Sequence, residues 1–301
     1  MNSASIISLF PYGTTTQAEV VSTIKSMCTE EDIQSLESII AEWRGASKYF
    51  MELVSAERGA PESIDGMEID AAYKPRLEKI ASNAFFKRTF FTVPTEFKLV
   101  EIEKLVAPQK FVDLDYVQQL KETLPREPKM DDLINFCLEL RQNTPPKKLS
   151  VAPNSFVYSS SNPDFRFLGG YSKPLTEDDV KASMGGMPAA AIVLLVGYGT
   201  PRCNALSIGK RMILNNGFHR MYALLDMGIK YAPLVIQKIA HPELEIAPEI
   251  IGVPREYLVR HPRPVMMKDF FDKMLVRVIH RKPAIKEVRI SWNAQQSSVP
   301  I

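Results

Sequence analysis

The chain has 301 residues, of which 45% are hydrophobic and 24% charged. This composition excludes a disordered or fibrous protein and is enough for one large domain or two small ones. The net charge of +2 predicts no global attraction to nucleic acid or to a membrane. No apolar run approaches 18 residues, so we predict no membrane span. Three scattered cysteines, and a start unlike a signal peptide, favour a reducing cytoplasm.

Charge is distributed unevenly between the two ends of the chain. Residues 1–96 carry 9 Lys or Arg against 14 Asp or Glu, whereas residues 255–301 carry 10 against 4. Because opposite charges attract, we expect the acidic front and the basic tail to associate. The association is expected either within one chain or between subunits.

Residues 16–54 are predicted to be helical. Their apolar side chains recur every three or four positions, which is typical of a helix with one buried face. Two pairs, Thr16 with Glu19 and Thr29 with Asp32, have the spacing of a capping box, in which two side chains bond to the backbone of a helix start. We therefore expect two helix starts here.

The rest of the N-terminal part, which spans residues 1–96, continues the helical pattern. Gly45 is expected to end or bend the preceding helix, because glycine is common just after a helix. Pro75 is well placed to open another helix, which is predicted to run to about Phe86.

A second part, residues 97–245, has the pattern of an α/β domain. Alternation over residues 97–104 predicts a short strand, and Asp113 and Asp131 each precede a helical pattern. Residues 145–188 are rich in Ser, Pro, Gly and Asn, so we predict an insertion. It is expected to contain short strands around residues 156–158 and 165–168 and one short helix over residues 176–183.

The clearest pattern follows this insertion. The apolar run over residues 189–199 predicts a buried strand, and residues 211–214 predict a second strand after a loop. Gly217 then marks a turn, residues 219–226 predict a helix, and residues 234–239 predict a third strand. This succession is typical of an α/β unit.

The tail, residues 246–301, is basic and rich in proline. Residues 276–279 and 288–292 are predicted to be strands. They are expected to form either a hairpin that completes the sheet or an arm in a dimer.

The turn at Gly217 is the strongest candidate for chemistry. Glycine permits close approach of a ligand to the backbone, and the helix start behind it favours an anion. His219 and Arg220 lie in the first turn of that helix, where cations are ordinarily disfavoured. Their position predicts a ligand that supplies negative charge, although pairing with nearby carboxylates is the structural alternative. Lys210 and Arg211 are further candidates to line the site, and exposed loop positions are their alternative.

Two segments, about residues 97–125 and 188–240, resemble the ParB/sulfiredoxin superfamily. In that family a strand leads into a Gly-x-His-Arg or Gly-Glu-Arg-Arg turn and then a helix, and here the turn is Gly-Phe-His-Arg, residues 217–220. The resemblance covers less than a third of the chain, and the motif is closest to that of the free serine kinases. It implies an α/β (α+β) domain of that family over residues 97–245, to which the sequence patterns add a helical N-terminal part and a strand-containing C-terminal extension.

The resemblance also implies a nucleotide site for ATP, ADP or CTP, with or without Mg²⁺. Separately, the His and Cys residues have no metal-ligand spacing, so we predict no metal-binding residues. The nucleotide-binding residues, including the two candidates before the turn, are Asn215, Asn216, Gly217, Phe218, His219, Arg220, Lys210 and Arg211. His219 is expected to orient or protonate the phosphate. Either Glu101 or Glu103 is expected to activate the acceptor, because an acidic group of the kinases lies near the end of the first strand.

Two departures from the family pattern affect the expected activity. Phe218 stands where sulfiredoxin has its reactive cysteine, so reduction of sulfinic acid is not expected. Asn216 stands where the serine kinases have Asp, which removes a potential Mg²⁺ ligand or base and weakens the kinase interpretation.

Three functions therefore stay open at this point. The first is an enzyme, an NTPase or a kinase, that hydrolyses a nucleoside di- or triphosphate or transfers its phosphate to a small molecule. The second is a non-catalytic module that assembles with itself or another protein under control of a nucleotide. The third, DNA binding or a nuclease, is not favoured, because the strand-like tail stands where partitioning proteins have a helix-turn-helix.

Overall fold

The structure, a computed structural model, describes residues 5–64, 66–139, 145–162, 165–181, 189–246, 248–250 and 252–299. These residues form both helices and strands, which confirms the predicted mixed α/β class. The strands are β1 (Ile6–Phe10), β2 (Gly66–Met67), β3 (Thr95–Glu101), β4 (Val112–Asp113), β5 (Lys147–Ala152), β6 (Ser155–Ser160), β7 (Phe165–Lys173), β8 (Ala191–Tyr198), β9 (Asn204–Ile208), β10 (Arg211–Asn216), β11 (Tyr231–Lys238), β12 (Glu249–Ile250), β13 (Val253–Pro254), β14 (Arg277–Arg281) and β15 (Lys286–Ser291). The helices are α1 (Gln17–Met27), α2 (Glu30–Gln34), α3 (Leu36–Ala56), α4 (Lys74–Ser82), α5 (Ala84–Thr89), α6 (Leu114–Glu122), α7 (Met130–Leu138), α8 (Glu177–Lys181), α9 (Phe218–Asp226), α10 (Pro242–Glu245) and α11 (Arg255–Arg260).

The chain forms two compact units. The first contains Met1–Leu140 and Thr200–Pro283, and the second contains Arg141–Gly199 and Ala284–Ile301. None of the described helices is long and apolar enough to cross a membrane.

The core of the first unit joins the N-terminal helices to the sheet. Phe50 of α3 and Phe86 of α5 lie in the same buried cluster as Leu214 of β10 and Leu234 of β11. The helical part at residues 1–96 therefore shares one hydrophobic interior with the strands that carry the candidate turn.

The main sheet of the first unit has the strand order β10-β9-β11-β3-β2. β9 and β11 run parallel, and the other neighbours run antiparallel. After β3 the chain passes alongside β10, the strand at the opposite edge of the sheet. There the Val106 N–H donates to the Met212 carbonyl (3.0 Å), and the Leu214 N–H donates to the Val106 carbonyl (2.9 Å). The sheet therefore curves round on itself, and its β10 edge is covered.

One strand of this sheet was not predicted. The sequence predicts a loop between residues 199 and 211, whereas β9 occupies the centre of that segment and is largely buried. Its sequence, Asn-Ala-Leu-Ser-Ile, is short and mixed, so its strand structure depends on pairing with β10 and β11 rather than on a local pattern.

The two predicted capping boxes have different outcomes. The Thr16 box is confirmed: the Glu19 N–H donates to Thr16 Oγ1 and the Thr16 N–H donates to Glu19 Oε2, both at 3.2 Å. The second box is wrong, because the Thr29 side chain makes no capping bond and Asp32 Oδ2 instead accepts the His280 N–H at 2.6 Å. The Asp32 carboxylate, which the local pattern predicts to bond at the helix start, bonds instead to a residue that is distant in sequence.

α3 continues through Gly45 to Ala56, so of the two alternatives predicted for this glycine, an end or a bend of the helix, the end is wrong. A glycine inside a helix costs about 1 kcal/mol relative to alanine. Burial of Ile39, Phe50 and Val54 on the helix face that meets the core outweighs this cost.

The basic segment at β14 pairs with the acidic N-terminal helices of the same chain. β14 runs antiparallel to β1, Arg277 forms an ion pair with Glu42, and Lys282 Nζ lies 3.2 Å from a carboxylate oxygen of Glu30. The expected attraction between the two ends is thus confirmed, and it acts within one chain.

The second unit is built mainly of strands. β15, β6 and β5 form a three-stranded sheet in that order, while β7 and β8 form a two-stranded ribbon. Strands around Phe156–Tyr158 and Phe165–Leu168 and a helix after Thr176 are confirmed, and the predicted end of that helix lies outside the described residues.

Two expectations about strands of this unit are wrong. β8 confirms the strand predicted at residues 189–199 but not its burial, because Ile192 is 79% exposed and Leu194 is 42% exposed. Of the two alternatives for the tail strands the hairpin is wrong, because β14, in the first unit, pairs with β1 whereas β15 pairs with β6; the arm in a dimer stays a prediction.

Candidate functional site

The candidate turn joins β10 to α9, and Gly217 is the residue between them. Its φ of +100° lies in the region that favours glycine. A Cβ atom added there would lie 2.4 Å from Sγ of the buried Cys203. Gly217 is therefore required by the backbone conformation and by packing inside the protein, whether or not a ligand approaches.

Arg220 points into the protein. Its side chain is buried, and Nη1 donates to the carbonyl of Phe136 at 3.1 Å, with the carbonyl of Cys137 at the outer limit of a hydrogen bond, 3.5 Å. These carbonyls belong to the last turn of α7, where carbonyls have no acceptor role within the helix itself and where the helix carries partial negative charge. Arg220 thus stabilises the end of one helix from the start of another, which accounts for a cation at that position.

His219 is held as an uncharged acceptor. The Asp113 N–H, at the start of α6, donates to its Nε2 at 3.0 Å, which leaves the ring proton on Nδ1. Burial, with a smaller contribution from the positive charge of Arg281, lowers the pKa of His219 to about 4. The imidazole is therefore neutral at neutral pH and joins α9 to α6.

The stability of the protein is expected to fall as the pH drops from about 6.5 towards 4. In that range the folded state keeps His219 neutral while the unfolded chain takes up a proton, so the free energy of unfolding decreases by about 1 to 3 kcal/mol. Urea denaturation at several pH values measures this. A His219→Gln variant is expected to show a flatter pH dependence, and the exposed His241→Gln variant serves as the control. Equal pH dependence in His219→Gln and wild type would contradict the assignment.

The two asparagines before the turn bond to the protein. Asn216 Nδ2 donates to the Thr200 carbonyl at 2.9 Å, and Asn215 Nδ2 donates to Oδ1 of the buried Asn204 at 2.8 Å. The latter oxygen also accepts from Gln237 at 2.9 Å. These amides hold the ends of β9, β10 and β11 together.

Phe218 is buried, and its ring centroid lies 5.0 Å from that of Phe270 in an edge-to-face arrangement. It belongs to the hydrophobic core of the first unit. Its side chain therefore contributes packing at the turn.

Lys210 and Arg211 do not line the turn. They lie at the opposite end of β10, and six strand residues at about 3.3 Å each place them roughly 20 Å from Gly217. Arg211 is buried and donates to the carbonyls of Leu258 (2.8 Å) and His261 (3.0 Å). The prediction that these two residues contact phosphate at the turn is wrong, because proximity in sequence along a strand becomes distance in space.

The two predicted carboxylates lie at and just after the end of β3. Glu101 Oε2 is 2.8 Å from Lys104 Nζ, and Glu103 is exposed in the 3-10 turn that follows. Among the described residues, neither carboxylate bonds to a group of the Gly217 turn. A general base must reach the proton that it removes, so the contacts do not assemble the proposed pair of base and phosphate site.

Arg202 is a second buried cation beside the end of α7. Its side chain is 2% exposed, and its guanidinium carbon lies 5.4 Å from the Phe86 ring centroid. Nε and Nη1 have no hydrogen-bond partner in the described part of the chain. Burial lowers the pKa of Arg202, and the negative charge of Glu139 opposes this effect. Nothing near Arg202 in the sequence signals this burial.

The backbone at the turn keeps some free donors. Within the described chain, the N–H groups of Phe218, His219 and Arg220 donate to no protein acceptor, as is usual for the first turn of a helix. No three His, Cys, Asp or Glu side chains among the described residues are grouped to hold a metal ion.

Comparison with protein-family models, with curated proteins and with solved structures finds no match to this chain. The likeness to the ParB/sulfiredoxin superfamily therefore stays a prediction from the motif.

Proposed function

We propose that this chain is a non-catalytic protein that acts by binding to other protein chains. We propose further that the turn at residues 217–220 is a structural joint, which connects α9 to the start of α6 and to the end of α7. The observation that carries the proposal is the engagement of Arg220. The guanidinium expected to hold phosphate is buried and donates to carbonyls at the end of α7. An arginine that binds phosphate needs its donors directed at the ligand.

The other predicted groups support the same interpretation. His219 has a neutral imidazole whose lone pair accepts the Asp113 N–H, so proton transfer at this nitrogen would break a contact between α9 and α6. Phosphoryl transfer depends on positioned positive charge around the phosphates. Neither basic side chain of the motif is presented in that way.

The surface composition of the second unit favours assembly. Of the 23 large hydrophobic side chains that are exposed among the described residues, 11 belong to this unit, which holds about a quarter of the chain. They are Leu149, Val151, Phe167, Leu168, Tyr171, Ile192, Leu194, Leu195, Ile285, Trp292 and Val299. Concentrated apolar surface is typical of a site of protein interaction.

A second candidate function is binding of a nucleotide phosphate, with or without hydrolysis. The observation that favours it is the set of three free N–H groups at the start of α9, next to a glycine with positive φ. In that case the backbone would hold the phosphate without the basic side chains of the motif.

A thermal-shift panel on wild type and Arg220→Ala separates the two candidates. With ATP, ADP, CTP or GTP, with and without Mg²⁺, the assembly proposal predicts no rise in melting temperature. Without ligand, Arg220→Ala is expected to lose about 2 to 3 kcal/mol of unfolding free energy, because it removes a charged hydrogen bond at a helix end. Arg260→Ala, at a side chain 70% exposed, is the control and should change stability by less than about 0.5 kcal/mol.

Nucleotide binding would be visible in the same panel as a raised melting temperature. A nucleotide at roughly 100 times its dissociation constant adds about 2.7 kcal/mol to the stability of the protein that binds it. Such a shift, or Mg²⁺-dependent release of phosphate, would refute the non-catalytic proposal in favour of the second candidate.

A further inference from the structure

The β7–β8 ribbon is a sheet with an open edge. Its strands are 9 and 8 residues long, and among the described strands β8 pairs only with β7. In the described chain, residues 191–197 make no backbone hydrogen bond beyond that pairing. A long apolar edge of this kind can template the pairing of another strand.

β8 is apolar on both faces. Residues alternate between the two faces of a strand, and an exposed leucine lies on each: Leu194 on one and Leu195 on the other, both 42% exposed. A two-stranded ribbon is marginally stable in water by itself. A matching partner therefore needs an extended strand with apolar side chains on both faces.

We infer that the occupant of this edge is β8 of a second copy of the chain, paired antiparallel about a two-fold axis. This inference rests on the proposed function, because it specifies how the assembly forms. The paired edges would join two ribbons into one four-stranded sheet, β7-β8-β8-β7.

The charge pattern favours a second copy. In a two-fold pairing each residue near the axis lies opposite itself or a near neighbour, so any charge there would face an identical charge. β8, Ala-Ile-Val-Leu-Leu-Val-Gly-Tyr, contains no charged residue and no proline. The charged residues of the ribbon, Arg166 and Lys173, lie on β7, away from the β8 edge.

The paired edge sets the expected strength of the dimer. A strand added beside β8 covers side chains of β8, of which Ile192, Leu194 and Leu195 are exposed, and leaves those of β7 uncovered. A standard interface involves about 20 to 30 residues on each side, so the dimer has a dissociation constant of about micromolar or weaker.

Sedimentation velocity of the full chain, from about 1 to about 100 µM, tests the inference. The expected result for wild type is a concentration-dependent rise from the chain mass of 33.9 kDa towards twice that mass. Leu194→Glu and Leu194→Lys, measured separately, should each raise the dissociation constant at least tenfold, because like charges then meet at the axis. Leu244→Glu, at an exposed leucine of the first unit, is the matched control and should leave the mass unchanged.

A mixture of the two Leu194 variants distinguishes charge repulsion from misfolding, because misfolded variants would not form dimers when mixed. Opposite charges then face each other across the axis, and dimer mass should return in the mixture although each variant alone is monomeric. A monomeric wild type at the highest concentration, or a dimer indifferent to both variants, would overturn the inference. Nucleotide turnover would instead overturn the proposed function and leave these masses unaffected, so the two failures are distinguishable.

Discussion

Replacing Asp269 with alanine is expected to lower the free energy of unfolding by about 3 to 5 kcal/mol. Asp269 is 2% exposed and Arg263 1% exposed, and the guanidinium donates two hydrogen bonds of 2.6 Å to the carboxylate. Removal of the carboxylate leaves a buried cation with one partner fewer. The Met266 N–H would also lose its acceptor, Asp269 Oδ2, at 2.8 Å.

The Arg263 network joins distant parts of the first unit. Arg263 Nη2 lies 2.9 Å from Glu57 Oε2, just after α3, and Lys268 Nζ lies 2.7 Å from the same oxygen. Burial alone would lower the pKa of Arg263, but the Asp269 and Glu57 carboxylates outweigh it and raise the pKa. The guanidinium therefore stays charged, and its loss of partners cannot be relieved by losing a proton.

Urea denaturation of Asp269→Ala measures the effect, with Lys282→Ala as the control. Lys282 and Glu30 form an ion pair whose side chains are 51% and 76% exposed, and such a pair contributes about 0 to 1 kcal/mol. An Arg263→Met/Asp269→Leu double variant should lose less than the sum of its single variants, because it removes both charges. A loss below about 1 kcal/mol in Asp269→Ala would refute the assigned role.

The second large effect is expected for Gly217→Ala, at about 2 to 5 kcal/mol. A residue with a Cβ at φ of +100° costs roughly 1 to 2 kcal/mol. The added methyl also overlaps Sγ of Cys203, and overpacking a core costs about 1 to 3 kcal/mol. The two contributions act together because the turn is fixed on both sides by strand and helix.

Gly228→Ala separates the two contributions. Gly228 also has a positive φ, +80°, but an added Cβ there meets nothing within 4 Å. It should therefore show only the backbone penalty, about 1 to 2 kcal/mol. In the Gly217→Ala background, Cys203→Ala should recover part of the loss, since it removes the nearest atom. Equal losses at both glycines in urea denaturation would show that packing against Cys203 contributes nothing.

Local patterns predicted the elements whose causes are local. The Thr16 box and the Asp113 cap depend on residues three positions away, and both form as expected. The strand, glycine turn, helix and strand over residues 211–239 follow from periodicity and a single glycine. Their bounds differ from prediction by only a few residues.

The sequence did not predict what depends on distant contacts. Arg220 finds its acceptors 83 and 84 residues away, at the end of α7. A cation at a helix start suggested an external anion, because nothing near it in sequence signals that another helix ends there. Asp32 is a parallel case, since its partner is the His280 N–H.

The exposure of β8 could not be predicted from the sequence either. An apolar run indicates that a strand prefers burial, but it does not specify which surface covers it. In the part of the chain that the structure describes, β7 alone pairs with β8, and Ile192, Leu194 and Leu195 stay exposed. The wrong prediction therefore identifies the surface that we assign to assembly.

In our interpretation the Gly217 turn joins α9 to α6 and α7 and does not bind phosphate. Isothermal titration calorimetry of ATP and CTP with Mg²⁺ into the wild-type chain tests this interpretation. We predict no saturable heat up to about 1 mM nucleotide, where a dissociation constant of that size corresponds to only about −4.1 kcal/mol of binding free energy. Saturable binding in the micromolar range, lost in a folded Arg220→Ala variant, would contradict the claim and establish a nucleotide site at this turn.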